Sequence, residues 1–249
     1  MAHVLVLGAT SAIAAEASLL YAARGDRVHL VGRAPEKLAA IAARCVAVSS
    51  QPVSSQVADF SALARQENVL AECMRILGGV DLVLIAHGEL GNQLETETSF
   101  AAAEAILRVN FLSPVALLIP IANAMEAQRG GRIGVITSVA GDRGRPRNYT
   151  YGAAKGALCT YLQGLRTRLY SAGVTVTTLK LGPVDSPMTG AHKKNALFAK
   201  PQSVAVSIVS AIDAGASEVY VPGFWRVIMA IVRNMPEALM QRLAFLSGR

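Results

Sequence analysis

Short apolar runs recur along the 249 residues and alternate with stretches of helical character. Continuous apolar runs of this length are typical of strands that are buried on both faces by helices. The alternation predicts one doubly wound parallel sheet of seven strands with helices on both faces, in a single domain with ligands at the carboxyl ends of the strands. The runs lie near residues 3–7, 27–32, 45–48, 80–86, 131–138, 174–181 and 218–221.

The first apolar run leads into a glycine turn, Gly8-Ala9-Thr10-Ser11-Ala12-Ile13-Ala14, and then into an alanine-rich helical stretch. A strand that feeds a helix N-terminus leaves backbone N–H groups free to hold a pyrophosphate, aided by the helix dipole. Gly8 permits the tight turn, and Thr10 and Ser11 place hydroxyls where the helix begins. The turn therefore predicts a dinucleotide site in a Rossmann fold, although an ordinary β–α turn has a similar sequence.

The second apolar run ends at Arg33. An acidic residue here would accept hydrogen bonds from the adenosine ribose, whereas an arginine can pair with a 2′-phosphate. Arg33 therefore favours NADP(H) over NAD(H), and the competing interpretation is a surface cation that opens the next helix. Asp59 and Phe60 follow the run at 45–48 and a polar loop, which predicts that the Asp59 carboxylate meets the adenine amino group.

Candidate chemistry is concentrated between residues 138 and 155. Tyr151 and Lys155 are four residues apart, so they share one face if the segment after Tyr149 is helical. A cation beside the phenol favours tyrosinate and is expected to lower a pKa that starts near about 10. Ser138 ends an apolar run and is expected to bind a substrate carbonyl or hydroxyl. Such a trio can protonate a carbonyl while another group delivers hydride, although Tyr-x-x-x-Lys also occurs on solvated helices.

Together these motifs resemble the short-chain dehydrogenase/reductase family, from about residue 3 to residue 222. The resemblance implies that Tyr151 is the acid/base and that Lys155 lowers its pKa and binds the cofactor ribose. It further implies that Ser138 orients the substrate and that Asn110 holds a water in the proton relay. The motifs that carry the resemblance are Gly8 to Ala14, Asp59, Ala86-His87-Gly88, Asn110, Ser138, Tyr151, Lys155 and Leu181-Gly182-Pro183.

The resemblance also implies a set of cofactor-binding residues and no metal ligand. Two positions depart from the family pattern: alanines replace glycines at Ala12 and Ala14, and His87 stands in a motif that is usually Asn-Ala-Gly. His87 is expected either to donate a hydrogen bond along the cofactor path or to pack at a strand end. The implied cofactor-binding residues are Gly8, Thr10, Ser11, Ala12, Ile13, Arg33, Asp59, Phe60, Ala86, His87, Gly88, Tyr151, Lys155, Pro183 and Val184.

The glycine turn and the Phe-Trp-Arg tail at residues 224–226 are most similar to the subgroup of polyprenyl-phosphate-linked keto-sugar 2-reductases. The implied reaction is NADP(H)-dependent interconversion of a ketone and a secondary alcohol, on a substrate that is lipid-linked or amphipathic in this subgroup. Two alternatives remain: a 3-oxoacyl thioester reductase, and a cofactor-binding sensor or scaffold without turnover. The family also implies a homodimer or homotetramer.

Composition narrows the class of partner. The chain is 52% hydrophobic and 16% charged, with a net charge of +7. No basic run is interleaved with aromatics, which argues against nucleic acid. Three scattered cysteines without metal or disulfide spacing predict reduced thiols in a cytoplasmic protein, and the first apolar run lacks the cationic start of a secretory signal.

Two further segments stand apart. Residues 185–201 mix proline, glycine and charge and are expected to close over substrate, with Lys193 and Lys194 facing either an anionic substrate or solvent.

Residues 223–249 form an apolar extension of the domain at 1–222. Arginines interrupt this extension, and its helix is expected to restart at Pro236. Its runs are too short to span a bilayer. The hypothesis is a basic amphipathic hairpin on the inner face of the cell membrane, and the alternatives are a subunit contact or a pocket lid.

Overall fold

A computed structural model describes residues 1–190 and 195–242. It contains one seven-stranded parallel sheet in the order β3-β2-β1-β4-β5-β6-β7, which confirms the predicted fold class. The chain reverses its direction of strand addition between β1 and β4, so a crevice opens at their carboxyl ends. The strands are β1 His3–Leu7, β2 Arg27–Gly32, β3 Val53–Val57, β4 Leu82–Ile85, β5 Gly131–Ser138, β6 Val174–Leu181 and β7 Glu218–Val221.

Helices cover both faces of the sheet. Helices α1, α2 and α8 pack on one face and α3, α6 and α7 on the other, each against its own apolar cluster. Short 3-10 turns at Leu63–Arg65, Val139–Gly141, Tyr170–Ala172 and Pro187–Thr189, and a π-helical turn at Arg108–Leu112, connect these elements. The α-helices are α1 Ala12–Ala23, α2 Pro35–Val48, α3 Gln66–Leu77, α4 Gln93–Thr98, α5 Phe100–Leu107, α6 Ser113–Gln128, α7 Tyr149–Leu169, α8 Pro201–Asp213, α9 Trp225–Asn234 and α10 Glu237–Arg242.

The third predicted strand, near residues 45–48, is wrong. These residues form the last turn of α2, and the edge strand is Val53–Val57. Cys45 is buried, whereas Val46 and Val48 are 58% and 48% exposed, as expected of one buried helix face. The true strand, Val-Ser-Ser-Gln-Val, pairs with β2 at the edge of the sheet and is too polar to stand out as an apolar run.

The C-terminal helix α9 is docked on the domain by one face. Trp225 and Met229 are buried and pack with Val139, while Val227 and Ile231 on the opposite face are 65% and 63% exposed. Helix α10 begins just after Pro236, whose carbonyl accepts the first helical hydrogen bonds. The restart predicted at this proline is therefore confirmed.

Part of the predicted lid segment is anchored beside β6. Val184 forms a parallel bridge with Ala199, and the backbone N–H of Ala199 donates to Pro183 O at 3.0 Å. The predicted Lys193 and Lys194 contacts lie outside the described residues, as do the last seven residues of the tail. Within the described ranges, the helical stretch Phe100–Gln128 is long and apolar enough to cross a membrane, and it supplies part of the core under the sheet.

Candidate active site

The glycine turn brings the start of α1 to the crevice between β1 and β4. Gly8 has a φ of +89°, and a Cβ there would lie 2.5 Å from the backbone nitrogen of His87, so only glycine fits. Ser11 is the N-cap of α1, but its side chain makes no capping hydrogen bond. The first N–H groups of a helix have no intrahelical acceptor. The Ser11 hydroxyl and the first turn of α1 therefore fit an anionic group such as a pyrophosphate.

Tyr151 and Lys155 lie on one face of α7, as the spacing predicted. The Lys155 ammonium is 5.8 Å from the centroid of the Tyr151 ring and donates to Ile136 O at 3.2 Å. The Ser138 hydroxyl, at the end of β5, donates to Leu181 O at 3.4 Å and lies close enough to the Tyr151 phenol to lower its pKa. An ammonium has three protons to donate, and Ile136 O takes one of them. Lys155 can therefore bind Ile136 O and a ribose hydroxyl at the same time.

Close packing fixes α7 against the turn that follows Ser138. A Cβ on Gly152 would lie 2.7 Å from Ala140 O, and a Cβ on Gly141 would lie 2.7 Å from the backbone nitrogen of Gly156. Gly152 and Gly156 directly follow Tyr151 and Lys155 in the sequence. Three glycines thus let the backbones approach closely enough to set Tyr151 and Lys155 beside β5.

Burial dominates the electrostatics of the pair. It raises the pKa of Tyr151 to about 12, against the opposing hydrogen bond from Ser138, and it lowers the pKa of Lys155 to about 8. Lys155 therefore does not bring the pKa of Tyr151 below its ordinary value as expected, because desolvation of the phenolate is the larger effect. At neutral pH the phenol carries its proton and Lys155 is largely an ammonium.

Asn110 is fully buried in the π-helical turn between α5 and α6. Its amide donates to Glu89 O at 2.7 Å and to Ile106 O at 3.0 Å, and its oxygen accepts from the Glu89 N–H. A Cβ on Gly88 would lie 2.8 Å from the Asn110 oxygen and 3.2 Å from Lys155 Nζ. The Gly88 backbone therefore lies between the Asn110 oxygen and the Lys155 ammonium. A π-turn that displaces one side chain in this way is frequent at functional sites.

His87 packs at the end of β4 under the cofactor crevice. Its ring lies 4.7 Å from that of Phe60, and Nε2 hydrogen-bonds with the Ser113 hydroxyl at 2.9 Å. Burial, reinforced by the charge of Lys155, lowers the pKa of His87 to about 3, so the ring is neutral. Its Nδ1 is buried without a partner in the described parts of the chain. The ring thus packs at the strand end, one of the two roles expected for His87, with Phe60 beside it.

Arg33 stands at the outer end of the crevice with Asp59 and Glu89 as its neighbours. Its side chain is 66% exposed, and its nearest guanidinium nitrogen is 3.9 Å from a Glu89 oxygen. Hydrogen bonds from the Ser61 backbone and hydroxyl, and then the charge of Arg33, lower the pKa of Asp59. An exposed ion pair of this length contributes little to stability. Arg33 is therefore free to turn to a phosphate, and the Asp59 carboxylate is already held by Ser61.

Pro183 and Val184 continue β6 at the inner end of the crevice. The preceding Gly182 lies against Trp225, and a Cβ there would overlap the indole ring. The tail thus reaches the carboxyl edge of the sheet, a contact that the sequence did not predict. The Trp225 indole N–H is buried without a partner among the described residues.

The sequence also missed a buried ion-pair network beside this site. Lys180 in β6 is 5% exposed and pairs with Asp142 at 2.7 Å and with Glu218 at 3.0 Å. Burial is the largest effect on its pKa and lowers it, but the two carboxylates together raise the pKa of Lys180 above its ordinary value. A lysine inside the apolar run of a central strand was the available signal, because a buried charge requires a partner.

Comparison with known proteins matches the chain to a family model described as short chain dehydrogenase, over residues 2–197. An uncharacterized oxidoreductase of Streptomyces coelicolor is 32% identical over 241 residues, which is 96% of this chain and 94% of the relative. An uncharacterized oxidoreductase of Mycobacterium tuberculosis strain CDC 1551 is 31% identical and covers 97% of both chains.

Solved structures agree on the fold. Levodione reductase superposes with a TM-score of 0.80 at 20% identity, over 88% of this chain and 95% of that one. A second structure, a short chain dehydrogenase/reductase family protein, gives a TM-score of 0.77 at 23% identity, over 87% and 94% of the two chains. At these identities the likeness concerns the fold alone.

Proposed function

We propose that this chain, which belongs to the short chain dehydrogenase family, is an NADP(H)-dependent oxidoreductase that interconverts a ketone and a secondary alcohol. The observation that carries the proposal is the convergence of the Ser138 hydroxyl, the Tyr151 phenol and the Lys155 ammonium at the carboxyl end of β5. When bound, a nicotinamide cofactor supplies or accepts the hydride. The residues of this chain manage the proton and hold the reacting oxygen.

Tyr151 acts as the proton donor in the reducing direction. A phenol with a pKa of about 12 keeps its proton at neutral pH, and the substrate oxygen that becomes an alkoxide is a stronger base than a phenolate. Ser138 holds that oxygen next to the phenol, and the nearby ammonium of Lys155 stabilises the phenolate left behind. Asn110 is separated from Lys155 by the Gly88 backbone. In this proposal it holds a water that returns the proton to Tyr151.

Arg33 supports the preference for NADP(H). It follows β2 directly, is mostly exposed, and has only a weak pairing with Glu89 to give up. A guanidinium matches a phosphate bidentately. Asp59 and Glu89 beside it would repel a phosphate in the absence of this arginine.

The proposal is tested by measuring the oxidation of NADPH and of NADH in the presence of different carbonyl compounds. The panel consists of diacetyl, cyclohexanone, a keto-sugar and a 3-oxoacyl thioester, one for each class of substrate. The expected result is faster oxidation of NADPH than of NADH with at least one class, and a loss of turnover in Ser138→Ala at similar cofactor affinity. Preference for the thioester would support the alternative 3-oxoacyl reductase. Cofactor binding without turnover on the whole panel, in either direction, would instead support a sensor or scaffold.

The exposed face of α9 supports a second proposal, contact with an anionic membrane surface and hence a lipid-linked or amphipathic substrate. Phe224, Val227 and Ile231 form an exposed apolar stripe, and Arg226 and Arg233 are exposed on the same helix. Apolar and cationic groups on one helix suit the interface of an anionic bilayer.

Point changes test this contact more cleanly than truncation at Pro222, because truncation would remove Trp225 from Gly182. Val227→Asp/Ile231→Asp should lose flotation with phosphatidylglycerol vesicles while retaining the native fold. Equal flotation of the variant and the parent, or failure of the parent to float, would exclude the contact.

We further propose a homodimer or homotetramer. Phe100, Leu112 and Ile119, on and between α5 and α6, are 80%, 41% and 49% exposed, and in this proposal a second copy of the chain covers them. Light scattering should give a mass of two or four chains. A monomer at micromolar concentration would contradict this.

A further inference from the structure

A buried ion pair ties the segment that follows Ser138 to the C-terminal strands. The Asp142 carboxylate accepts from Lys180 Nζ at 2.7 Å and from the Tyr220 hydroxyl at 2.6 Å. The side chains of Asp142 and Lys180 are 4% and 5% exposed. Because the pair is shielded from water, its two charged groups have little freedom to separate.

One short turn connects Asp142 to Ser138. The Asp142 N–H donates to Val139 O at 3.2 Å, and the Ala140 N–H donates to the Ser138 hydroxyl at 3.1 Å. Residues 139–141 form a single 3-10 turn. A displacement of Asp142 is therefore passed on to the Ser138 side chain over less than two helical turns of backbone.

The same turn has no free space against α7. Gly141 abuts Gly156, and Ala140 O abuts Gly152, at distances that leave no room for a Cβ. The turn thus contacts α7 at the residues next to Tyr151 and Lys155. Ser138 on one side, and Tyr151 and Lys155 on the other, are therefore both held next to the same short turn.

The C-terminal extension covers this piece from outside. The Arg143 guanidinium donates to Arg233 O at 3.3 Å and to Met235 O at 2.9 Å, and Trp225 packs on Val139. Tyr220, which binds Asp142, belongs to β7, directly before this extension. The tail, β7 and the turn after Ser138 therefore form one connected unit.

We propose that Asp142 is a positioning residue: through its paired carboxylate, the docking of β7 and α9 fixes the separation of Ser138 and Tyr151. The inference rests on the proposed function, in which these two groups act on the substrate oxygen. Asp142 itself does not touch the reacting atoms. Its role is to keep the serine hydroxyl at the distance from the phenol that proton transfer requires.

The test compares Asp142→Asn with the milder Tyr220→Phe, which removes one hydroxyl and leaves the buried charges paired. Asp26→Asn is the matched control, since Asp26 is also 4% exposed and paired, with Arg24, but lies at the amino edge of the sheet. Amide hydrogen exchange of residues 136–156 and the emission of Trp225, the one tryptophan of the chain, need no substrate. Both should change in the two test variants and stay unchanged in the control.

Turnover of the most reactive carbonyl of the panel supplies the kinetic readout. We expect kcat to fall about tenfold in Tyr220→Phe and about 100-fold in Asp142→Asn, with KM for NADPH unchanged. Unchanged exchange and emission in Tyr220→Phe, or wild-type kcat in an active parent background, would overturn the inference. If Asp142→Asn does not fold, Tyr220→Phe decides. If the parent itself turns over nothing, the proposed function fails, while exchange and emission still decide the positioning claim.

Discussion

Replacing Lys155 by methionine should stabilise the protein at neutral pH while removing its activity. Lys155 is 2% exposed, and its pKa is lowered from 10.5 to about 8 by burial. That difference corresponds to about 3 kcal/mol of unfavourable free energy carried by the folded protein whenever the lysine is charged. Methionine has a similar stem without the charge, but it cannot donate to Ile136 O, which costs about 1 kcal/mol.

The net expectation for Lys155→Met is a gain of about 2 kcal/mol at pH 7, or a rise in Tm of about 4–8 °C for a chain of this size. The difference in stability between Lys155→Met and the parent depends on pH. Between about pH 8 and 10.5 the unfolded chain binds more protons at this lysine than the folded protein does, so the parent gains stability as pH rises. The advantage of the variant should therefore shrink across this window.

Urea denaturation of parent and variant at a series of pH values measures this difference directly, because other titrating groups cancel between them. Lys180→Met is the matched control: Lys180 is equally buried but paired with Asp142 and Glu218, so its loss should destabilise the fold by about 3–5 kcal/mol. A Lys155→Met variant that is less stable than the parent at pH 7, by an amount that does not change with pH, would refute the reasoning.

Two further substitutions probe the cofactor site and the tail. Arg33→Ala should weaken NADPH binding about 10- to 100-fold, the loss of a charge-assisted contact, and leave NADH binding unchanged in fluorescence titrations; equal losses for both cofactors would contradict the 2′-phosphate assignment. Gly182→Ala places a methyl group in the Trp225 ring, so Tm should fall and the Trp225 emission should shift, whereas Gly164→Ala, where a Cβ meets nothing within 4 Å, should stabilise α7 by about 1 kcal/mol. Native-like Tm and emission in Gly182→Ala would show that the tail is not packed on β6 in solution.

The fold followed from the sequence because buried parallel strands are continuous apolar runs, and six of the seven were found where the structure has them. The edge strand escaped because β3 is half exposed and polar, while the alanine-rich end of α2 imitates a short strand. The pattern of apolar residues indicates which positions are buried. A strand at the sheet edge is less buried and therefore leaves a weaker pattern.

The grouping of Ser138, Tyr151 and Lys155 was predictable because these residues are close in sequence or carried by a family motif, and α7 converts the spacing of Tyr151 and Lys155 into proximity. The direction of the Tyr151 pKa was not predictable, since it depends on how completely the phenol is desolvated. Nor was the link from Asp142 to Lys180 and Tyr220, which joins residues far apart along the chain. Tertiary burial and long-range pairing decide both.

Tyr151 as the proton donor is the central claim, and Tyr151→Phe tests it most directly. Tyr149→Phe is its control, because Tyr149 lies two residues earlier on the same helix and is 44% exposed. With NADPH and the most reactive carbonyl, Tyr151→Phe should lose at least about 100-fold in kcat at unchanged NADPH affinity, and Tyr149→Phe should keep parental turnover. Parental turnover in Tyr151→Phe would contradict the account.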